Sequence, residues 1–189
     1  PNNIPAEVNE FIGRSDELDE IRNMLQTNRL ITLLGPGGIG KSRLAIQIAH
    51  SELTNYEGGV YFVNLSSILK ADLLLTEIAK VLKVIEKPGV DTIDSIKEFL
   101  KGKHTLIILD NFEQLINVAY LVEDLLASEP ALDLIVTSRV VLGIEGESVY
   151  SIAPMEIPEP GKKLSLQQLA QNYSVALFIA RAQAVQSDF

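Results

Sequence analysis

The chain contains no cysteine, which excludes a disulfide framework and a thiolate zinc site. It has two histidines, His50 and His104, with no metal-ligand spacing, and both are expected to be solvated or hydrogen-bonded bystanders. No apolar run approaches the roughly 18 residues of a membrane span; the longest, such as residues 106–109, suit buried strands. Positive charge is scarce: 16 Lys and Arg stand against 25 Asp and Glu, a formal net charge of -9. Such a surface argues against direct nucleic-acid contact, because neutralising phosphates needs a basic face. Residues 1–10 have neither a basic start nor an apolar stretch, so no secretory signal is expected. What remains is a soluble, cytoplasmic protein with no membrane partner. At 189 residues, 47% hydrophobic and 22% charged, it has room for one domain and a small appendage.

Apolar patterning supplies the organisation. Residues 1–11 form an irregular lead-in, and a short helix follows with Ser15 or Asp16 as its cap and Leu18, Ile21, Met24 and Leu25 on one face. Strands are expected at 30–34, 60–65, 105–109, 132–137 and 148–152. Helices are expected at 41–52, 72–84, after the Pro88-Gly89 turn, at 112–126 and at 167–186. Alternation of this kind implies βαβ units, hence a parallel sheet with helices on both faces. Glu52, Glu57, Asp91, Asp94 and Glu98 are assigned to solvated faces, and the run Leu73 to Leu75 to core. Prolines at 154, 158 and 160, with Gly161, mark a linker. The division is a first unit over 1–155, with 1–28 as its lead-in segment and helix, and a linker and helix over 156–189. The chain reads as a cut through a longer protein.

Residues 35–42, GPGGIGKS, match the phosphate-loop pattern G-x-x-x-x-G-K-[ST]. Its glycines let successive backbone N–H groups turn toward an anion, and the helix that follows adds its positive end. A chance match in a chain this long has a probability of roughly 1%, and here a strand precedes the loop and a helix follows. Candidate nucleotide contacts are Gly35, Gly37, Gly38, Ile39, Gly40, Lys41, Ser42 and Arg43, with Lys41 reaching the β- and γ-phosphates and Ser42 offering a hydroxyl to Mg²⁺. The strand LIILD ends in Asp110, which would face the same crevice and orient the metal; capping the next helix is its alternative role. Arg139, in the piece TSR that ends the following strand, could bond a terminal phosphate or be an ordinary surface arginine.

The pieces FIGRSDEL, LLGPGGIGKSRLA, LIILDNFEQL, IVTSR and SVYSIAPM, in that order, resemble the nucleotide-binding domain of STAND-class ATPases, the NB-ARC-like group. The wording is most similar to the bacterial transcription-regulator branch (AfsR/LuxR type), and the likeness covers nearly the whole chain. The resemblance implies a three-layer P-loop NTPase fold with a five-stranded sheet of order 5-1-4-3-2. It places Ile12 and Arg14 beside the base of ATP or ADP and makes Arg139 a nucleotide sensor. It further implies Mg²⁺, an ATP/ADP switch, helical and winged-helix domains elsewhere in the parent chain, and self-association with ATP.

Two departures from the family pattern stand out. Where many relatives carry a second acidic residue after the metal aspartate, this chain has Asn111, whose amide cannot accept a proton from water. Glu113 is the remaining nearby candidate for a base, and slow hydrolysis or none is expected. The segment of glycine-leucine-proline-leucine type, whose proline covers the nucleotide in relatives, is not found. The leading alternative function is an AAA+-like motor or loader that hydrolyses ATP continuously in a ring. A metabolite kinase is a further one, though no arginine-rich lid segment is seen.

Overall fold

Five short apolar runs make the frame. In the computed structural model, which describes residues 1–6, 9–68, 70, 72–85, 87–159, 161 and 165–186, they form one sheet. Its strands are β1 (Leu30–Leu34), β2 (Gly59–Asn64), β3 (Thr105–Asp110), β4 (Leu132–Ser138) and β5 (Glu147–Ser151). Their order is β2-β3-β4-β1-β5, all pairs parallel. This is the expected order, written from the other edge. Pro160 and residues 187–189, which carried part of the linker and end-of-chain expectations, lie outside the described residues.

Strand residues alternate between two cores. Ile31, Leu33, Leu106, Ile108 and Ile135 pack under α1 (Ser15–Leu25) and α2 (Lys41–Ser51), with Ile21, Leu44 and Ile48. Ile107, Leu109, Leu134 and Val136 pack on the opposite face. There they meet α3 (Asp72–Leu82), α4 (Thr92–Leu100) and α5 (Tyr120–Ser128) through Leu74, Ile78, Ile96, Leu100, Val122 and Leu125. Each fully buried Leu or Ile contributes about 1.5–3 kcal/mol. Helix propensities differ by about 0.7 kcal/mol per ordinary residue, so burial on the sheet dominates.

Several expectations need correction. The first helix starts at Ser15 itself; its N-cap is Arg14, in the left-handed region (φ 62°), with no side-chain cap bond. The single helix expected over 112–126 is a 3₁₀ segment, Phe112–Val118, followed by α5, and the segment is itself kinked at Leu115, which departs from helical geometry (φ -116°). The final helix is likewise divided into α6 (Leu166–Ala170) and α7 (Tyr173–Val185), where Asn172 Oδ1 accepts from the backbone N–H groups of Ser174 and Val175 and caps α7. Glu52 is 2% exposed rather than solvated; its two oxygens accept from Arg22 Nε (2.9 Å) and Asn55 Nδ2 (2.6 Å). Leu73 is exposed, so only Leu74 of that run is fully buried.

The lead-in also does more than wander. Asn3 Nδ2 donates to Phe62 O (2.8 Å), its Oδ1 accepts from Phe62 N (2.7 Å), and Val60 N donates to Pro1 O (3.1 Å). An asparagine amide thereby occupies the open edge of β2, which would otherwise present unpaired backbone groups. No helix of the described residues is long and apolar enough to cross a membrane.

Candidate functional site

The strand order brings the carboxyl ends of β3, β4 and β1 side by side. Residues following them converge on one crevice, as parallel sheets arrange at a topological switch point. The loop from Gly35 leaves β1 and enters α2 through Gly40, which has φ 100°, a conformation that a residue with a Cβ rarely adopts. With no side chain capping α2, the first-turn N–H groups have no intrahelical acceptor and are free to bind an anion.

Lys41 is buried in this loop, its Nζ donating to Gly35 O (2.8 Å) and Pro36 O (3.0 Å). Burial pulls its ammonium below the usual lysine value; nearby Glu113 opposes this, Arg139 reinforces it, and Asp110 opposes it more weakly. Arg139 lies over the loop: a Cβ on Gly37 would sit 3.1 Å from Arg139 Nη2, so the guanidinium rests directly against the loop backbone. The guanidinium also meets Glu113, Nε to Oε1 at 3.0 Å.

Asp110, 3% exposed, ends β3 beneath the loop. Its Oδ1 accepts from Thr137 Oγ1 (2.6 Å) and its Oδ2 from Asn111 Nδ2 (2.9 Å). Thr137 Oγ1 in turn accepts from Asn111 N (2.9 Å). The aspartate is thus held in place from β4, and no side chain caps the 3₁₀ segment after it, so the capping alternative does not hold. A carboxylate has about four acceptor sites, and two remain for a cation or its waters. Ser42, half-buried on the first turn of α2, supplies a hydroxyl. Among the described residues no three His, Cys, Asp or Glu come close enough to cage a metal. A hydroxyl, one carboxylate, phosphate oxygens and water suit Mg²⁺, which keeps much of its hydration.

Beside the loop lies a cleft of about 790 Å³. Ile12, Arg14, Gly38, Ile39, Gly40 and Arg43 line it, opposite Pro154, Met155, Leu177 and Phe178. Two of the expected contacts have other occupations. Arg14 donates to Glu17 Oε1 (2.9 Å), Ile39 O (3.1 Å) and Ala153 O (3.1 Å), binding the lead-in to the phosphate loop and to the segment after β5. Arg43 Nη2 donates to Asn9 O (3.2 Å) and Glu10 O (3.1 Å). Both arginines line the cleft while their guanidiniums bond neighbouring backbone carbonyls. The residues that sequence reasoning missed are Thr137 and the α7 wall, Leu177 and Phe178. The latter follow a linker and carry no local mark of a binding role.

A parallel sheet in this order, with a phosphate loop after its first strand and an aspartate ending its third, defines the P-loop nucleotide-binding class. Within it the particular family is also clear. The NB-ARC domain pattern matches residues 14–150, and the chain belongs to that family. An uncharacterized protein of Mycobacterium tuberculosis is 31% identical over 180 residues, covering 95% of this chain and 42% of that protein. A putative HTH-type transcriptional regulator of the same organism is 37% identical over 171 residues, 89% of this chain and 18% of the regulator. The regulatory protein AfsR of Streptomyces griseus is 29% identical over 153 residues, 74% of this chain and 15% of AfsR. The chain therefore spans less than half the length of these relatives. In fold it is similar to a STAND protein with a tetratricopeptide repeat sensor from Pyrococcus horikoshii (TM-score 0.57, 21% identity, 95% of this chain and 27% of that one). It is similar too to Cdc6p from Pyrobaculum aerophilum (TM-score 0.63, 17% identity, 95% of this chain and 52% of that one).

Proposed function

We propose that this domain binds ATP and ADP with Mg²⁺ and serves as the nucleotide switch of a larger, cytoplasmic signal-transduction ATPase. One observation carries the reading: the left-handed turn at Gly40 opens the uncapped end of α2 beside the buried Lys41 and Asp110 and the exposed Arg139. Loop amides and Lys41 would hold the β-phosphate, Ser42 and Asp110 the hydrated Mg²⁺, and Arg139 the γ-phosphate. The base would enter the apolar cleft between Ile12 and Phe178. Bound Mg²⁺ would draw charge from the phosphate oxygens, while this chain's groups orient the polyphosphate and exclude water from one side.

A switch suits the site better than a motor. Asn111 stands directly after Asp110 where an acid would be expected, its amide cannot accept a proton from water, and Glu113 comes two residues late, so slow hydrolysis or none is expected. A hydrogen bond from Arg139 to the γ-phosphate contributes about 1.5–3 kcal/mol, or roughly 10- to 150-fold preference for ATP. Moving a two-state population from 1:99 to 99:1 needs about 10⁴-fold. The remainder has to come from Mg²⁺ and from domains outside this segment. Helical and winged-helix domains elsewhere in the parent chain, and self-association with ATP, are the partners that the resemblance to STAND-class ATPases implies. Calorimetric titration with ADP·Mg²⁺ tests the site. Lys41→Ala should weaken binding by about 1.5–3 kcal/mol; equal affinity in both proteins would refute the assignment.

A further inference from the structure

Glu113 and Arg139 face each other across the mouth of the phosphate loop. Their side chains differ in freedom: Arg139 is 62% exposed and Glu113 15% exposed. Glu113 sits on a short 3₁₀ segment fixed by the buried Phe112 before it and the left-handed Asn111 before that. The carboxylate is therefore the fixed partner and the guanidinium the movable one. The second oxygen of Glu113, Oε2, is buried with no hydrogen-bond partner among the described residues, so Arg139 supplies the hydrogen-bonded contact of the carboxylate while Lys41 feels its charge from nearby. A carboxylate oxygen and a phosphate oxygen offer a guanidinium the same kind of charge-assisted bond. Arg139 already lies against Gly37 in the loop, where a terminal phosphate would arrive.

We propose that Glu113 is a specificity-determining residue: its ion pair with Arg139 is a latch that a γ-phosphate must displace, so Glu113 sets how far the domain prefers ATP over ADP. ADP, lacking that phosphate, leaves the latch closed. The inference rests on the nucleotide-binding reading above and deepens it. It also means that Glu113 becomes available to a water molecule only after Arg139 has moved to the nucleotide.

The test is a set of calorimetric titrations of the full chain with ADP·Mg²⁺ and with β,γ-imido-ATP·Mg²⁺. Glu113→Gln should raise the ratio of the ADP Kd to the ATP-analogue Kd about 2- to 5-fold, the range of a partly exposed ion pair. On an Arg139→Gln background the same change should leave that ratio unmoved. A ratio that stays constant or falls in Glu113→Gln overturns the latch, since Glu113 would then be inert or would position Arg139 for the phosphate. An equal rise without Arg139 also overturns it, by showing simple relief of charge repulsion. Glu113→Asp keeps the charge but shortens the reach, so it should give a rise smaller than Gln. Should Gln fail to fold, Asp decides: a rise supports the latch and a native ratio removes it. A native chain that binds neither ligand would defeat the nucleotide reading itself, before any variant is compared.

Discussion

Thr137 does the least conspicuous work in the site. One hydroxyl donates to Asp110 at 2.6 Å and accepts from Asn111 N at 2.9 Å, tying β3 to β4 at the aspartate proposed to orient the metal. Thr137→Val keeps the shape but leaves a buried carboxylate oxygen and a backbone N–H unpaired. Such orphaned groups cost about 1–3 kcal/mol, or about 2–4 °C of melting temperature per kcal/mol in a domain of this size. Thermal unfolding should show that loss, and Mg²⁺-dependent nucleotide binding should weaken more than Mg²⁺-free binding. An unchanged melting temperature would mean that the network carries no energy. The position of Lys41 was legible because a phosphate loop is local backbone chemistry with fixed spacing, and those of Asp110 and Arg139 because they end or follow apolar strand runs. Thr137 was not, because its role depends on the neighbouring strand. Glu52 failed for the same reason: only the packing of α1 beside α2 brings Arg22 and Asn55 to its carboxylate.

At the scale of elements, the strands followed from apolar runs, whereas helix continuity did not. A 3.6-residue apolar pattern cannot distinguish one helix from a 3₁₀ segment joined to an α-helix when both bury the same side, as Phe112, Leu115, Val122 and Leu125 do. The break before α7 had a local sign in Asn172, a residue favoured at helix starts, but alanine-rich flanks hid it. That cap is energetically isolated, since α7 has no buried residue among those described. Asn172→Ala should therefore cost α7 about 1 kcal/mol, the usual value of a cap. Native-state hydrogen exchange should quicken roughly fivefold in α7 while the amides of β1 and β4 stay protected, as expected of a locally opening unit. Equal quickening in α7 and the sheet would mean that α7 unfolds only with the core.

For the whole molecule, the architecture reduces to a parallel sheet that places three loops at its carboxyl end and a cleft beside them. Arg14 links those parts: its single guanidinium reaches the phosphate loop at Ile39 and the segment after β5 at Ala153. The cleft and the phosphate loop are thereby parts of one connected structure, and with an acidic overall charge (-9) the proposed anion binding falls to local cations. The sheet order was legible through resemblance to a family, not through periodicity, which fixes faces and leaves strand neighbours open. A crystal structure of the chain grown with ADP and Mg²⁺ tests the central claim most directly. The β-phosphate should lie within about 3 Å of loop N–H groups and Lys41 Nζ, with the base between Ile12 and Phe178. An ADP molecule bound elsewhere, or a loop whose amides face away from the phosphate, would contradict the account.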